Sequence, residues 1–136
     1  MRVLAIDHGT VRMGIAISDE LKMIAQPLEF ISAEPFSSFL EKLKSLLMEH
    51  EVELVLLGMP RNMDGSYGDA AIKVREFEAV LKKSIAVPIK TLDERLTSVQ
   101  ANRVLTQGRV KKNKKRQNVD AISAAILLQG YLDSLV

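Results

Sequence analysis

Leu54 to Leu57 is an unbroken apolar run of strand length between two segments with helical apolar spacing, and no other feature of the chain constrains its fold as strongly. Successive strand residues point to opposite faces, so such a run needs cover on both sides. Before it, Phe36, Phe39, Leu40, Leu43, Leu46 and Leu47 recur on one helical face, with Ser32 and Pro35 expected as N-cap and first turn. After it, Gly58 and Pro60 close the strand, and a helix is predicted over about 69–83 with Ala70, Val74, Phe77 and Leu81 facing inward. The element is a sheet strand sandwiched by helices.

The flanking segments extend this sheet. Arg2 to Ile6 is an apolar strand ending at Asp7, and Arg12 to Ser18 alternates Met13, Ile15 and Ile17 with smaller residues, so the two form a hairpin turning at Gly9. A third strand is predicted over about 23–31, where Pro27 removes a ladder donor and argues for an edge. Ile85 to Thr91 is a further short strand. Thr97 and Gln100 match a capping box for a helix ending at Gly108, and Asn118 is a candidate cap for a final helix with Ile122, Ala125, Ile126 and Leu132 inward. The expected architecture is α/β: a mixed five-stranded sheet, three antiparallel N-terminal strands followed by parallel ones, flanked by helices. Ligands of such sheets gather beyond the carboxyl ends of the strands, where Asp7, the 58–62 loop and Asp93-Glu94 fall.

A length of 136 residues suits one domain, expected over 1–136, and no apolar stretch is long enough to span a membrane. Met1 to Ile6 enters a strand pattern directly, without a secretory leader, so a cytoplasmic location is expected. With no cysteine, thiolate zinc sites and cysteine nucleophiles are excluded; oxygen ligands favour a hard cation, Mg²⁺ or Mn²⁺. The net charge of +2 conceals a basic segment: 95–119 holds eight Lys or Arg and no acid. That segment is either a solvated loop or a track for a polyanion.

Three acids on separate elements then stand out. Asp7 ends the first strand and, taken alone, could cap a turn; Asp19 at the end of the second strand reads as a turn former. Of Asp93 and Glu94, only one can face a site at the sheet end, because their side chains alternate. Asp120 in the first turn of the last helix could simply complement its dipole. Together, Asp7, one of Asp93 and Glu94, and Asp120 make three acids on separate elements near one end of the sheet, the set that phosphodiester hydrolysis with two divalent ions requires. His8 and His50 read as structural, His50 at a helix end.

Four segments carry a resemblance that spans essentially the whole chain. They are 4–10 with Gly14-Ile15-Ala16, the loop 58–66, the stretch 93–98, and the helix 119–129. Their order and spacing resemble the YqgF/RuvX family of RNase H-like proteins. The resemblance implies an RNase H-like fold and a bacterial cytoplasmic nuclease, with catalytic acids and metal ligands at Asp7, Glu94 and Asp120. It implies two substrates, described for the family: the precursor 5′ end of 16S rRNA, in ribosome biogenesis, and the Holliday junction. Expected substrate contacts are Thr10, Arg12, Arg61, Asn62, Arg95, Lys111, Lys112, Lys114, Lys115 and Arg116. RuvC-type resolvases carry a further carboxylate one turn beyond the last acid, where this chain has Ser123, which favours rRNA processing over junction cleavage. A junction enzyme would be a homodimer and a processing enzyme could act as a monomer. Two rivals compete. Asp-x-Gly-Thr also resembles the first phosphate loop of actin-like ATPases, but those have two domains; a non-catalytic nucleic-acid-binding module would keep the basic segment without the chemistry.

Overall fold

The computed structural model describes residues 1–9, 11–60, 68–93 and 119–135, with helix positions 119 and 120 described by their backbone alone. Strands β1 (Arg2–Asp7), β2 (Arg12–Ser18) and β3 (Ala25–Ser32) lead to helix α1 (Phe36–Glu49). Strand β4 (Val52–Met59), helix α2 (Asp69–Ser84), strand β5 (Ile89–Asp93) and helix α3 (Val119–Ser134) complete the described elements. The sheet order is β3-β2-β1-β4-β5. β1, β2 and β3 pair antiparallel, while β1, β4 and β5 run parallel, the mixed sheet expected. β3 is an edge strand, and its Pro27 beside Ala16 sits where a missing donor costs little.

Strand alternation sorts the core into two layers. Leu4, Ile6, Met13, Ile15, Ile17, Val55 and Leu57 point toward α1 and α2, where Phe39, Leu43, Val74, Phe77 and Leu81 meet them. Val3, Ala5, Ala16 and Leu56 point the other way and pack on Ala124, Leu128 and Leu132 of α3. The alanines let that helix lie close to the sheet.

Several local expectations shift. α2 buries Ala71 rather than Ala70, because Ala71, Val74, Phe77 and Leu81 share the inward face and Ala70 turns to the surface. β5 begins at Ile89, not Ile85: Ile85 is the C-cap of α2, and Pro88 precedes the ladder, its carbonyl accepting from the Val55 N–H at 2.9 Å. Pro35 itself is the N-cap of α1, and the Ser32 hydroxyl donates to the Glu34 carbonyl instead of capping. His50 is the C-cap, followed by Glu51 at a left-handed φ of 51°. The predicted helix over 97–108 and the Asn118 cap lie outside the described residues.

Asp19 is the turn former its sequence suggests. Its Oδ1 accepts from the Met23 N–H at 2.8 Å and the Ile24 N–H at 3.0 Å, closing the β2–β3 connection. The hydrogen bonds from Ile24 and Met23 hold its carboxyl below the ordinary 3.8. A depressed acid contributes stability above its unfolded pKa and loses it as pH falls through the folded value. The urea midpoint of the wild type should therefore drop more steeply below pH 3.8 than that of Asp19→Asn. Parallel acid limbs would show that these bonds contribute nothing to folding.

Candidate active site

Asp7 owes its setting to the strand register. It pairs with Gly14 on β2, and because Ile6 pairs with Leu57, the residue alongside it on β4 is Gly58. Both neighbours in the cross-strand row thus lack side chains, so neither crowds the carboxylate with atoms of its own. Parity places Asp7 on the face of Val3 and Ala5, the face covered by α3.

The turn after Asp7 is equally constrained. A Cβ on Gly9 would fall inside contact distance of the Arg12 carbonyl oxygen, a backbone atom that cannot swing away. Gly9→Ala should therefore cost about 1–3 kcal/mol and displace the end of β1, read as a lower melting temperature together with weaker catalysis. An unchanged melting temperature would show that the turn can relax.

Helix α3 brings position 120 to the same end of the sheet. Gln129 near its C-terminal half accepts from the Ala25 N–H at 2.9 Å and donates to the Met23 carbonyl at 3.0 Å. Ala25 pairs with Ser18, whose Oγ accepts from the Val3 N–H at 2.9 Å, so Gln129 marks the level where β1 begins. Nine residues back along the helix cover about 14 Å, and the four from Val3 to Asp7 cover about 13 Å. Position 120, one turn before the stripe Ala124, Leu128 and Leu132, is therefore level with Asp7. Ser123 is exposed.

On β5, Leu92 packs in the α3 layer and Ile89 in the α1/α2 layer. Asp93 shares the parity of Ile89, so it stands on the face opposite Asp7. Glu94 and its neighbour Arg95 lie outside the described residues, as do Thr10, Arg61, Asn62, Lys111, Lys112, Lys114, Lys115 and Arg116; the side chain of Asp120 does too. Arg12 opens β2, its guanidinium 5.3 Å from the centroid of the Phe30 ring. Among the described residues no three acids or histidines converge as a metal cluster.

A cleft of about 290 Å³ opens at the rim between Asp7, His8, Pro60 and the first turns of α2, lined there by Asp69, Ala70, Lys73 and Val74. The His8 ring lies 5.1 Å from Phe77, centroid to centroid. Burial pushes its imidazole below the usual range, and the Lys73 ammonium pushes it further. His8 is thus a neutral ring near pH 7, as its structural reading expects, and Lys73 is the cation among the described residues of the cleft. Sequence reasoning passed over Lys73 and Asp69, which no local pattern sets apart from the other exposed charges of α2.

The RuvX model, described as a Holliday junction resolvase, matches residues 1–134. A protein of Halothermothrix orenii, provisionally named a pre-16S rRNA nuclease, is 45% identical over 98% of this chain and 95% of its own length. The chain belongs to the RuvX family. Its fold is that of solved resolvases: fowlpox virus resolvase with Holliday junction DNA has a TM-score of 0.60 at 14% identity, covering 100% of this chain and 99% of that one. RuvC of T. thermophilus with its junction substrate has a TM-score of 0.54 at 16% identity, covering 98% and 96%. As a RuvX member with an RNase H-like fold, the chain falls in the class of nucleases, hydrolases of phosphodiester bonds. No described helix is long and apolar enough to cross a membrane.

Proposed function

We propose that this RuvX protein is a divalent-metal-dependent nuclease that trims the precursor 5′ end of 16S rRNA, with Asp7, Glu94 and Asp120 as its catalytic acids and metal ligands. The observation that carries the reading is Asp7 at the end of β1 between two glycines, with α3 bringing position 120 to the same level. Asp93 stands on the opposite face, which supports the choice of Glu94 from that pair. The donors are carboxylate oxygens, which suit Mg²⁺ or Mn²⁺. When bound, two such ions supply an activated water and offset charge at the phosphate and the leaving oxygen.

The protein's own part is positioning. Three carboxylates brought to one end of the sheet would repel one another, a repulsion that bound divalent cations relieve. Lys111, Lys112, Lys114, Lys115 and Arg116 hold the sugar-phosphate backbone, with Thr10, Arg12, Arg61, Asn62 and Arg95 as further contacts. Neutral His8 is left as packing beside Asp7, not as the base.

Relatives at this level of identity carry the rRNA nuclease name, and Ser123 leaves out the additional carboxylate of RuvC-type resolvases. The test incubates wild type, Asp7→Asn, Glu94→Gln and Asp120→Asn with a pre-16S 5′ RNA and a four-way DNA junction, with Mg²⁺ or Mn²⁺. Wild type should cleave the RNA, and each variant should not. Junction cleavage by a light-scattering dimer would support resolution instead; tight binding without cleavage of either substrate would support a non-catalytic module.

A further inference from the structure

The cross-strand row that holds Asp7 continues outward. Gly14 pairs with Phe30 on the edge strand β3, so Phe30 lies two strand spacings from Asp7 on the same face, about 9.5 Å away. Only a glycine stands between them. Phe30 is 41% exposed, although it sits in the middle of a paired strand. Arg12 has the same parity as Gly14, and its guanidinium lies over the Phe30 ring. The row therefore places an acid, a bare backbone step, and an exposed aromatic ring beside an arginine along one line at the catalytic end of the sheet.

An exposed phenylalanine on an edge strand is often only surface, and a cation over its ring is worth little there. Two features set this one apart. It shares a face and a row with the candidate catalytic acid, and the cation beside it is the charge that a phosphodiester strand seeks. Bases of single strands stack on such rings, and arginine adds to the contact. A base inside a duplex has both faces covered, so only an unpaired or splayed base can use this ring.

We propose that Phe30, with Arg12, is a stacking platform for one unpaired base of the substrate strand, close to the phosphate that is cut. The assignment rests on the nuclease reading for its location, but its binding test is independent of cleavage. The platform recognises the base face, which RNA and DNA share.

The test measures binding of full-length protein to fluorescein-labelled single-stranded oligonucleotides, one RNA and one DNA of the same sequence, without divalent metal. Phe30→Ala should weaken RNA binding about five- to 150-fold, and Phe30→Trp should restore it. An abasic residue walked along the RNA should find one position that weakens wild-type binding by a similar factor and leaves Phe30→Ala unaffected. Equal losses on DNA assign the platform to either nucleic acid; losses on RNA alone assign it to RNA. Wild-type affinity in Phe30→Ala, or additive losses at every abasic position, would overturn the proposal. Should Phe30→Ala unfold, Phe30→Leu keeps the bulk without the ring and should lose the same affinity; wild-type affinity in that variant would overturn the proposal equally. If the platform holds but Asp7→Asn still cleaves, it is the catalytic assignment that fails.

Discussion

Asp7→Asn should lower metal-dependent cleavage of the pre-16S 5′ RNA by more than about a hundredfold while leaving the fold in place. Losing an outer partner of a metal ligand costs about 10–100-fold, and removing a ligand itself should cost more. The amide matches the carboxylate in shape but not in charge, so packing at the end of β1 is preserved. Gly14 and Gly58 on either side add no side chain that the change could disturb. Initial rates with saturating Mg²⁺, alongside thermal unfolding, read both halves of the expectation. Cleavage within tenfold of wild type would remove Asp7 from the site, and with it the reason for placing Glu94 and Asp120 there.

Phe39→Ala should destabilise the protein by about 3–5 kcal/mol, which for a chain of this size lowers the melting temperature by about 10–17 °C. Phe39 is wholly buried, and its ring lies 6.1 Å from that of Phe36 and 5.7 Å from that of Phe77. Phe77 in turn packs on His8, the residue after Asp7. The cavity left by the substitution would be walled by α1 and the strands of the α1/α2 layer, which can collapse only in part. A drop of under about 4 °C would mean that the aromatic cluster contributes little to the core. Because the cluster reaches His8, catalysis should also weaken before the protein unfolds.

Much of this molecule is legible along the chain. The apolar run of β4, the alternation of β2 and the stripe of α1 each follow from a local period, and the edge position of β3 follows from Pro27. Boundaries are less legible. Ile85 is apolar enough for a strand but caps α2 instead, and Ala70 exchanges places with Ala71 because small residues mark a helix face weakly. Asp7 announces itself by its place before a glycine turn. Lys73 of the rim cleft does not, since a lone lysine on a helix has no local pattern that distinguishes it.

The sequence by itself determined the types of the described elements and the family, and it marked three candidate acids, because periodicity, turn chemistry and motif spacing are properties of neighbouring residues. Only the tertiary structure decided that Asp7 lies between two glycines and shares a row with Phe30, that Asp93 occupies the opposite face, and that α3 runs back to set position 120 level with Asp7. Those relations depend on strand register and on the anchoring of a helix across the sheet by Gln129. They join residues as far as 106 positions apart, over which no local period can operate.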